Sequence, residues 1–246
     1  MSAPVRWQLA TVRSITTETA RTKTLTLTLP AWVRHQPGQH YDVRLTAPDG
    51  YQAQRSYSIA SEPERRGEID LTVERIADGE VSPYLHDELI VGDQLEVRGP
   101  IGGYFVWTAE LGGPLLLVGG GSGVVPLMSM IRHRIAARSG IPTRLLLSSR
   151  TLDDIIYRSQ LEELSSKQTG IDVVFTLTRQ VPAAWTGYRR RIDDAMLREV
   201  LAPLGKASRI YVCGPTLLVE AAANSLVRLE LPVDHIRTER FGPSGN

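Results

Sequence analysis

A continuous apolar run, Leu115 to Val118, breaks into Gly119, Gly120, Gly121, Ser122 and Gly123, and a helical pattern opens at Pro126. No other stretch limits the fold as much. A strand that is apolar at every position is buried on both faces, which puts it inside a parallel sheet flanked by helices. Glycines let the backbone approach a ligand closely, and the helix that follows turns its free N–H groups and positive dipole end toward them. Beyond this point the pattern alternates. It predicts a helix over 126–137, a strand over 144–148, a helix near 156–164, a strand over 173–178, a helix near 193–201, a strand over 210–212 and a helix over 216–229. The alternation specifies a doubly wound α/β unit with a parallel sheet.

Before Gly112 the periodicity is different. From 21 to 29 the chain alternates, with Leu25, Leu27 and Leu29 on one face and threonines on the other, the mark of a half-buried antiparallel strand. Short strands are expected at 43–45, 56–59, 69–75 and 94–98, each bounded by Gly, Pro or Asp, with one helix at about 83–89. This is the pattern of a small antiparallel barrel or sandwich, and an antiparallel β-barrel is the expected fold of this part. Two domains are therefore expected, 1–110 and 111–246, joined near 108–113, a division that 246 residues readily accommodate.

Composition removes several function classes. Lys and Arg number 28 against 27 Asp and Glu, so no overall field draws the chain to nucleic acid or to an acidic membrane. The single cysteine, Cys213, permits neither an internal disulfide nor a cysteine-ligated iron–sulfur cluster within these residues. His35, His40, His86, His133 and His235 lack metal-ligand spacing, and no Gly-x-Ser-x-Gly elbow is present. The first fourteen residues have no apolar signal core, and the apolar stretch 114–131 is broken by glycines and prolines, so a cytoplasmic location and no membrane span are expected.

Arg55, Ser56, Tyr57 and Ser58 lie on an expected strand, with Arg55 and Tyr57 on one side and the serines on the other. An arginine fork suits phosphate, a tyrosine ring can stack on an isoalloxazine, and a serine hydroxyl can bond a ring nitrogen. Gly79, Glu80, Val81 and Ser82 precede the helix, where free N–H groups favour an anion, and Gly99, Pro100, Ile101, Gly102 and Gly103 lead to Phe105. In this order the patterns R-x-Y-S, G-x-x-S and, with one extra residue before the phenylalanine, G-P-x-G-x-F resemble those of the ferredoxin–NADP reductase family, and the resemblance covers nearly the whole chain. It implies Arg55 at the flavin phosphate, Tyr57 at the ring and ribityl chain, Ser58 near N5, and Ser82 at the pyrophosphate, with Ser56, Val73, Gly79 and Val81 among the flavin contacts. FAD is the implied ligand ahead of FMN, with Trp107 the candidate aromatic for its adenine.

The glycine turn does not match the dehydrogenase form G-x-G-x-x-G, because Pro126 stands where the last glycine would be. G-x-G-x-x-P is the version that this family uses, and it implies Gly121, Ser122, Gly123 and Pro126 at the nicotinamide nucleotide. After the next strand a NAD enzyme would carry an acidic residue for the ribose. Here the chain reads Ser148, Ser149, Arg150, with Arg179 after the following strand and Arg189, Arg190 and Arg191 beyond Gly187, a set that favours a 2′-phosphate. The resemblance implies that Ser149, Arg150, Arg179 and Arg191 hold this phosphate, so NADPH is expected ahead of NADH.

Cys213, Gly214 and Pro215 end an expected strand at the carboxyl edge of the sheet, where α/β ligands bind. The resemblance implies that this turn lies beside the nicotinamide, and that Cys213 positions C4 without acting as a nucleophile. Glu239, Arg240 and Phe241 resemble the family's glutamate-x-aromatic ending, in which the ring covers the flavin and the glutamate assists positioning or proton supply. Here the chain runs five residues past Phe241. The expected activity is hydride transfer from NADPH to bound FAD, then electron delivery to a separate ferredoxin or oxygenase component. The alternatives are reduction of free flavin or ferric chelates, or a flavin-binding electron-transfer or regulatory subunit of a larger complex. A monomer is expected.

Overall fold

The computed structural model describes residues 5–167 and 169–242. Two compact units divide the chain: the first holds the residues up to Thr108 together with Met128–Ala136, the second Ala109–Leu127 and the residues from Ala137 onward.

In the first unit, β1 (Trp7–Thr19), β2 (Thr22–Thr28), β3 (His40–Thr46), β4 (Gln52–Ser58), β5 (Glu68–Glu74) and β6 (Gln94–Ile101) form an antiparallel sheet in the order β4-β3-β6-β1-β2-β5. Its two edges meet where Ile59 bridges Leu71 and the Ala60 N–H donates to the Asp70 carbonyl at 2.8 Å, so the sheet curls into a barrel. Leu25, Leu27, Val43, Ile69, Leu71 and Val97 fill its interior, as period-two alternation requires. The pattern did not reveal β1. Register shifts between Val12 and Ser14 and between Thr17 and Thr19 break its alternation, and only pairing with both β2 and β6 makes this polar segment a central strand. The expected helix at 83–89 is shorter, α1 (Ser82–Asp87), because the Glu88 and Leu89 N–H groups both turn back to the Tyr84 carbonyl. Residues 128–136 pack with this unit: Ser129 Oγ donates to the Ser61 carbonyl at 2.6 Å and Arg132 to the Ala60 carbonyl at 2.8 Å. Trp107 is fully buried with its ring edge-on to His133, 6.0 Å between centroids, so it is sealed in the interior and cannot cover an adenine.

In the second unit, β7 (Leu115–Gly120), β8 (Thr143–Ser149), β9 (Ile171–Leu177), β10 (Arg209–Pro215) and β11 (Ile236–Phe241) form a parallel sheet in the order β11-β10-β7-β8-β9. A single 3-10 turn, Gly121–Gly123, leads from β7 into α2 (Val124–Ala136). The remaining connections are α3 (Arg158–Ser166), α4 (Asp194–Leu201) and α5 (Thr216–Arg228). Asp193 caps α4 by accepting the Met196 N–H at 2.8 Å, which puts the helix start one residue after the expected one. β11 was not expected. Of its six residues only Ile236 is buried, and a polar edge strand carries no apolar signal.

Gly38 shows how closely the first unit is packed. Its φ is +99°, and an added Cβ would sit 1.8 Å from the Phe105 carbonyl oxygen. Gly38→Ala should therefore cost at least about 2 kcal/mol, combining left-handed strain with backbone overlap. Gly103→Ala, with open space around its Cβ, should change stability by less than about 0.5 kcal/mol, the range of unconstrained surface substitutions. Urea denaturation of both variants checks the contrast.

Candidate active site

Sheet order decides where a ligand can bind in the second unit. From β7 the chain builds outward through β8 and β9, then returns to the other side of β7 to form β10 and β11. The order reverses between β7 and β10, and in open α/β sheets the crevice at the carboxyl ends of such a strand pair takes the ligand. Both expected turns are there, because β7 ends in the glycine turn and β10 ends in Cys213, Gly214 and Pro215. The two backbones touch: a Cβ on Gly123 would lie 2.1 Å from the Cys213 carbonyl oxygen, and one on Gly214 would lie 3.0 Å from the Gly120 carbonyl oxygen. Gly121 has φ +53° and nothing within 4 Å of a built Cβ, so the turn presents bare backbone to open space. Such a turn, followed by α2, fits a pyrophosphate. Pro126 is buried within the first turn of α2, where its missing N–H costs no hydrogen bond.

β11 brings the expected C-terminal residues to the same edge. Cys213 pairs in register with Glu239, and Pro215 with Phe241. Cys213 Sγ lies 3.9 Å from Glu239 Oε2. Burial pushes the thiol well above its ordinary pKa and the adjacent carboxylate adds to the shift, so Cys213 is a neutral thiol rather than a nucleophile. Burial also raises Glu239, to about 7, against a smaller opposing effect of the Cys213 hydrogen bond. The pair places a neutral sulfur beside a carboxyl that exchanges its proton near neutral pH. Phe241, half-buried, ends β11 on this edge; residues 243–246 lie outside the described residues.

The expected phosphate-binding arginines divide. Ser149 ends β8 with a buried Oγ that has no hydrogen-bond partner among the described residues. The Thr178 N–H donates to the Ser149 carbonyl at 3.0 Å and the Arg179 N–H to the Arg150 carbonyl at 2.9 Å, which fastens the ends of β8 and β9 together with both arginines exposed. Thr176 Oγ donates to the Arg190 carbonyl, which brings the 188–191 segment alongside. Arg189 is spent on the Ala183 and Trp185 carbonyls, and Arg190 on Asp193 at 2.7 Å and on the face of Tyr188. Among the described residues the Arg150, Arg179 and Arg191 side chains make no hydrogen bond or ion pair, so of the 189–191 cluster only Arg191 is uncommitted. Local carbonyls and Asp193 capture Arg189 and Arg190, which leaves Arg191, the cluster arginine expected at the phosphate, without a side-chain partner among the described residues.

The flavin motif lies on the barrel, where β4 alternates as expected. Ala53, Tyr57 and Ile59 share the core-facing side, and Ser56 faces the other way. Ser56 Oγ donates to Asp42 at 2.7 Å, and Arg98 holds the other Asp42 oxygen at 2.7 Å, so this hydroxyl proton is already used within the protein. The Ser58 and Tyr57 hydroxyls have no hydrogen bond among the described residues. Burial lifts the Tyr57 phenol to about 12 and keeps it a donor. Arg55 is exposed, its guanidinium 3.0 Å from Glu80 Oε2, while the Tyr51 hydroxyl donates to Glu80 Oε1 at 2.6 Å. Ser82 Oγ accepts the Ile76 N–H at 3.0 Å, closing the turn while its own proton remains available. Val73 and Val81 pack in the core, which leaves only their backbones for a ligand. Two uncommitted hydroxyls, a phosphate-matching guanidinium and a serine-closed turn fit a flavin nucleotide. The sequence does not single out Tyr51 as a partner of Glu80; its one signal is its place directly after the Asp49–Gly50 turn.

Residues 8–106 match the family model of the oxidoreductase FAD-binding domain, and 117–224 that of the oxidoreductase NAD-binding domain. Ferredoxin–NADP reductase B of Sorangium cellulosum is 35% identical over 215 residues, covering 84% of this chain and 85% of that protein. The chain belongs to the ferredoxin–NADP reductase family. Another relative is the glycine betaine monooxygenase reductase subunit of Chromohalobacter salexigens, 34% identical over 211 residues. That match covers 84% of this chain and 56% of the relative, so the chain spans little more than half the length of such oxygenase subunits. Among solved structures, a cytochrome P450 reductase of Amycolatopsis superposes with a TM-score of 0.84 at 26% identity, over 99% of this chain and 72% of that one.

Glu239 carries a testable signature. Its folded pKa of about 7 lies above the ordinary value of 4.5, so between these two the folded state binds the extra proton. Its stabilising contribution is fully present below about pH 4.5 and is lost as pH rises through 7. Wild-type protein should lose melting temperature between pH 5 and pH 8 relative to Glu239→Gln, and parallel curves would show that the carboxyl is not perturbed.

Proposed function

We propose that this protein is a flavin-dependent reductase that oxidises NADPH and delivers the electrons to a separate protein acceptor of the ferredoxin or oxygenase-component type. The observation that carries the reading is the switch point between β7 and β10, where the glycine turn meets the Cys213–Gly214–Pro215 backbone and Glu239 stands 3.9 Å from the cysteine sulfur. We read 1–110 as the flavin-binding part and 111–246 as the nucleotide-binding part, supported by the family matches at 8–106 and 117–224.

Arg55, Tyr57, Ser58 and Ser82 would hold FAD; Gly121, Ser122, Gly123 and Pro126 would hold the pyrophosphate of the nicotinamide nucleotide. A bound flavin accepts two electrons together as hydride and releases them one at a time. Cys213, neutral and buried, supplies shape rather than reactivity. Glu239 holds a proton at its carboxyl near pH 7 beside that sulfur. Phe241, opposite Pro215, stands where a ring could pack against the same edge. No acid–base dyad is needed, because the rate comes from holding flat reactants in place.

The uncommitted Ser149, Arg150, Arg179 and Arg191 at the ends of β8 and β9 support NADPH as the donor. Relatives named as reductase subunits of oxygenases support a protein acceptor, and the lone cysteine supports one outside these residues. In Arg150→Ala the KM for NADPH should rise about tenfold to a hundredfold, the value of one charge-assisted bond of about 1.5 to 3 kcal/mol, while the KM for NADH stays nearly constant. Equal effects on both nucleotides would remove the 2′-phosphate assignment. NADPH added anaerobically should bleach the flavin of the purified protein within a turnover time; persistent colour would reject the reductase reading.

A further inference from the structure

Beyond β9 the chain returns to the sheet edge. Thr176 and Tyr188 form a parallel bridge, in which the Tyr188 N–H donates to the Phe175 carbonyl at 3.1 Å and the Leu177 N–H to the Tyr188 carbonyl at 3.0 Å. Side chains on both flanks hold the returning segment in place. Trp185 Nε1 donates to the Tyr188 carbonyl at 3.1 Å with its ring 6.2 Å from that of Phe175, and the Tyr188 hydroxyl donates to Glu199 on α4. A Cβ on Gly187 would lie 2.8 Å from the Phe175 carbonyl oxygen, so the segment runs directly against β9. The last hold is the hydroxyl of Thr176, a fully buried residue, which donates to the Arg190 carbonyl. That carbonyl belongs to the peptide bond whose nitrogen is that of Arg191. Arg179 and Arg191 each stand three residues past the bridge, one on either side of it.

We propose that Thr176 is a positioning residue for the nucleotide donor: its buried hydroxyl fixes the Arg190–Arg191 peptide so that the Arg191 guanidinium meets the 2′-phosphate, and it thereby sets the preference for NADPH over NADH. The inference rests on the NADPH reading above and adds a residue that acts only through Arg191. An arginine on an untethered loop gives up backbone as well as side-chain freedom when it grips an anion, and a tether made in advance removes the backbone part of that cost. Thr176 supplies the tether from inside the sheet. Without its hydroxyl the Arg190 carbonyl loses its donor and the segment its innermost hold. Arg189 is held by the Ala183 and Trp185 carbonyls and Arg190 by Asp193, so within 189–191 only Arg191 is left for a ligand.

The test measures binding to the purified full chain by calorimetry, with 2′,5′-ADP and 5′-AMP as probes that differ only in the 2′-phosphate. Thr176→Val, which keeps the branched shape and removes the donor, should weaken 2′,5′-ADP about fivefold, within the worth of one hydrogen bond, and 5′-AMP less than about twofold. Thr176→Ser, which restores a hydroxyl, should recover most of the loss. Thr176→Val combined with Arg191→Ala should bind 2′,5′-ADP no more weakly than Arg191→Ala alone, because the tether acts through that side chain. Equal weakening of both probes, no weakening of either, or additive losses in the double variant would overturn the role of Thr176. Should Thr176→Val not fold, Tyr188→Phe frees the same segment from Glu199 and should weaken 2′,5′-ADP selectively, about twofold; an unselective effect or none would overturn the proposal equally. Wild-type protein that binds the two probes with equal affinity would overturn the NADPH reading itself, a separate result.

Discussion

The contact between the glycine turn and the end of β10 is the constraint on which the second unit depends. With a Cβ on Gly123 lying 2.1 Å from the Cys213 carbonyl oxygen and one on Gly214 lying 3.0 Å from the Gly120 carbonyl oxygen, no side chain fits between these backbones at either position. The same proximity builds the site. It joins the ends of the two strands at which the sheet order reverses, and leaves open space where a side chain of Gly121 would stand at the entrance to α2. Packing and ligand binding thus make the same demand on the sequence.

Cys213 and Glu239 illustrate chemistry set by burial. A thiol beside a carboxylate in water would titrate ordinarily; enclosed at the β10–β11 seam, both are shifted toward their neutral forms. Two acids that would repel each other when ionised are thereby compatible at 3.9 Å, and only the carboxyl titrates near neutral pH. A neutral sulfur and a proton-exchanging carboxyl suit a site whose work is to position reactants.

On the barrel, carboxylates sort the motif residues into those already used and those still available. Asp42 takes both the Ser56 hydroxyl and Arg98, which assigns Ser56 to the strand pair β3–β4 rather than to a ligand. Glu80 takes Arg55 and Tyr51 at an exposed position, where an ion pair is weak enough for a phosphate to compete with it. Hydrogen bonds from Tyr51 and Arg55 hold Glu80 below the usual carboxylate range, so the pair is charged at neutral pH.

The sequence by itself determined the two classes of structure and the positions of the glycine, R-x-Y-S and C-G-P motifs, because these depend on local periodicity and on residues with distinctive backbone freedom. It also placed Ser149, Arg150 and Arg179 at strand ends, since each follows an apolar-rich run. Tertiary structure alone decided the rest. The polar, bulged β1 becomes a strand only between β2 and β6, and β11 only beside β10, because edge and bulged strands take their hydrogen bonds from neighbours and not from their own pattern. Likewise only the fold could remove Arg189 and Arg190 from the basic cluster, seal Trp107 inside, and bring Tyr51 to Glu80, since each outcome depends on partners that linear distance does not reveal.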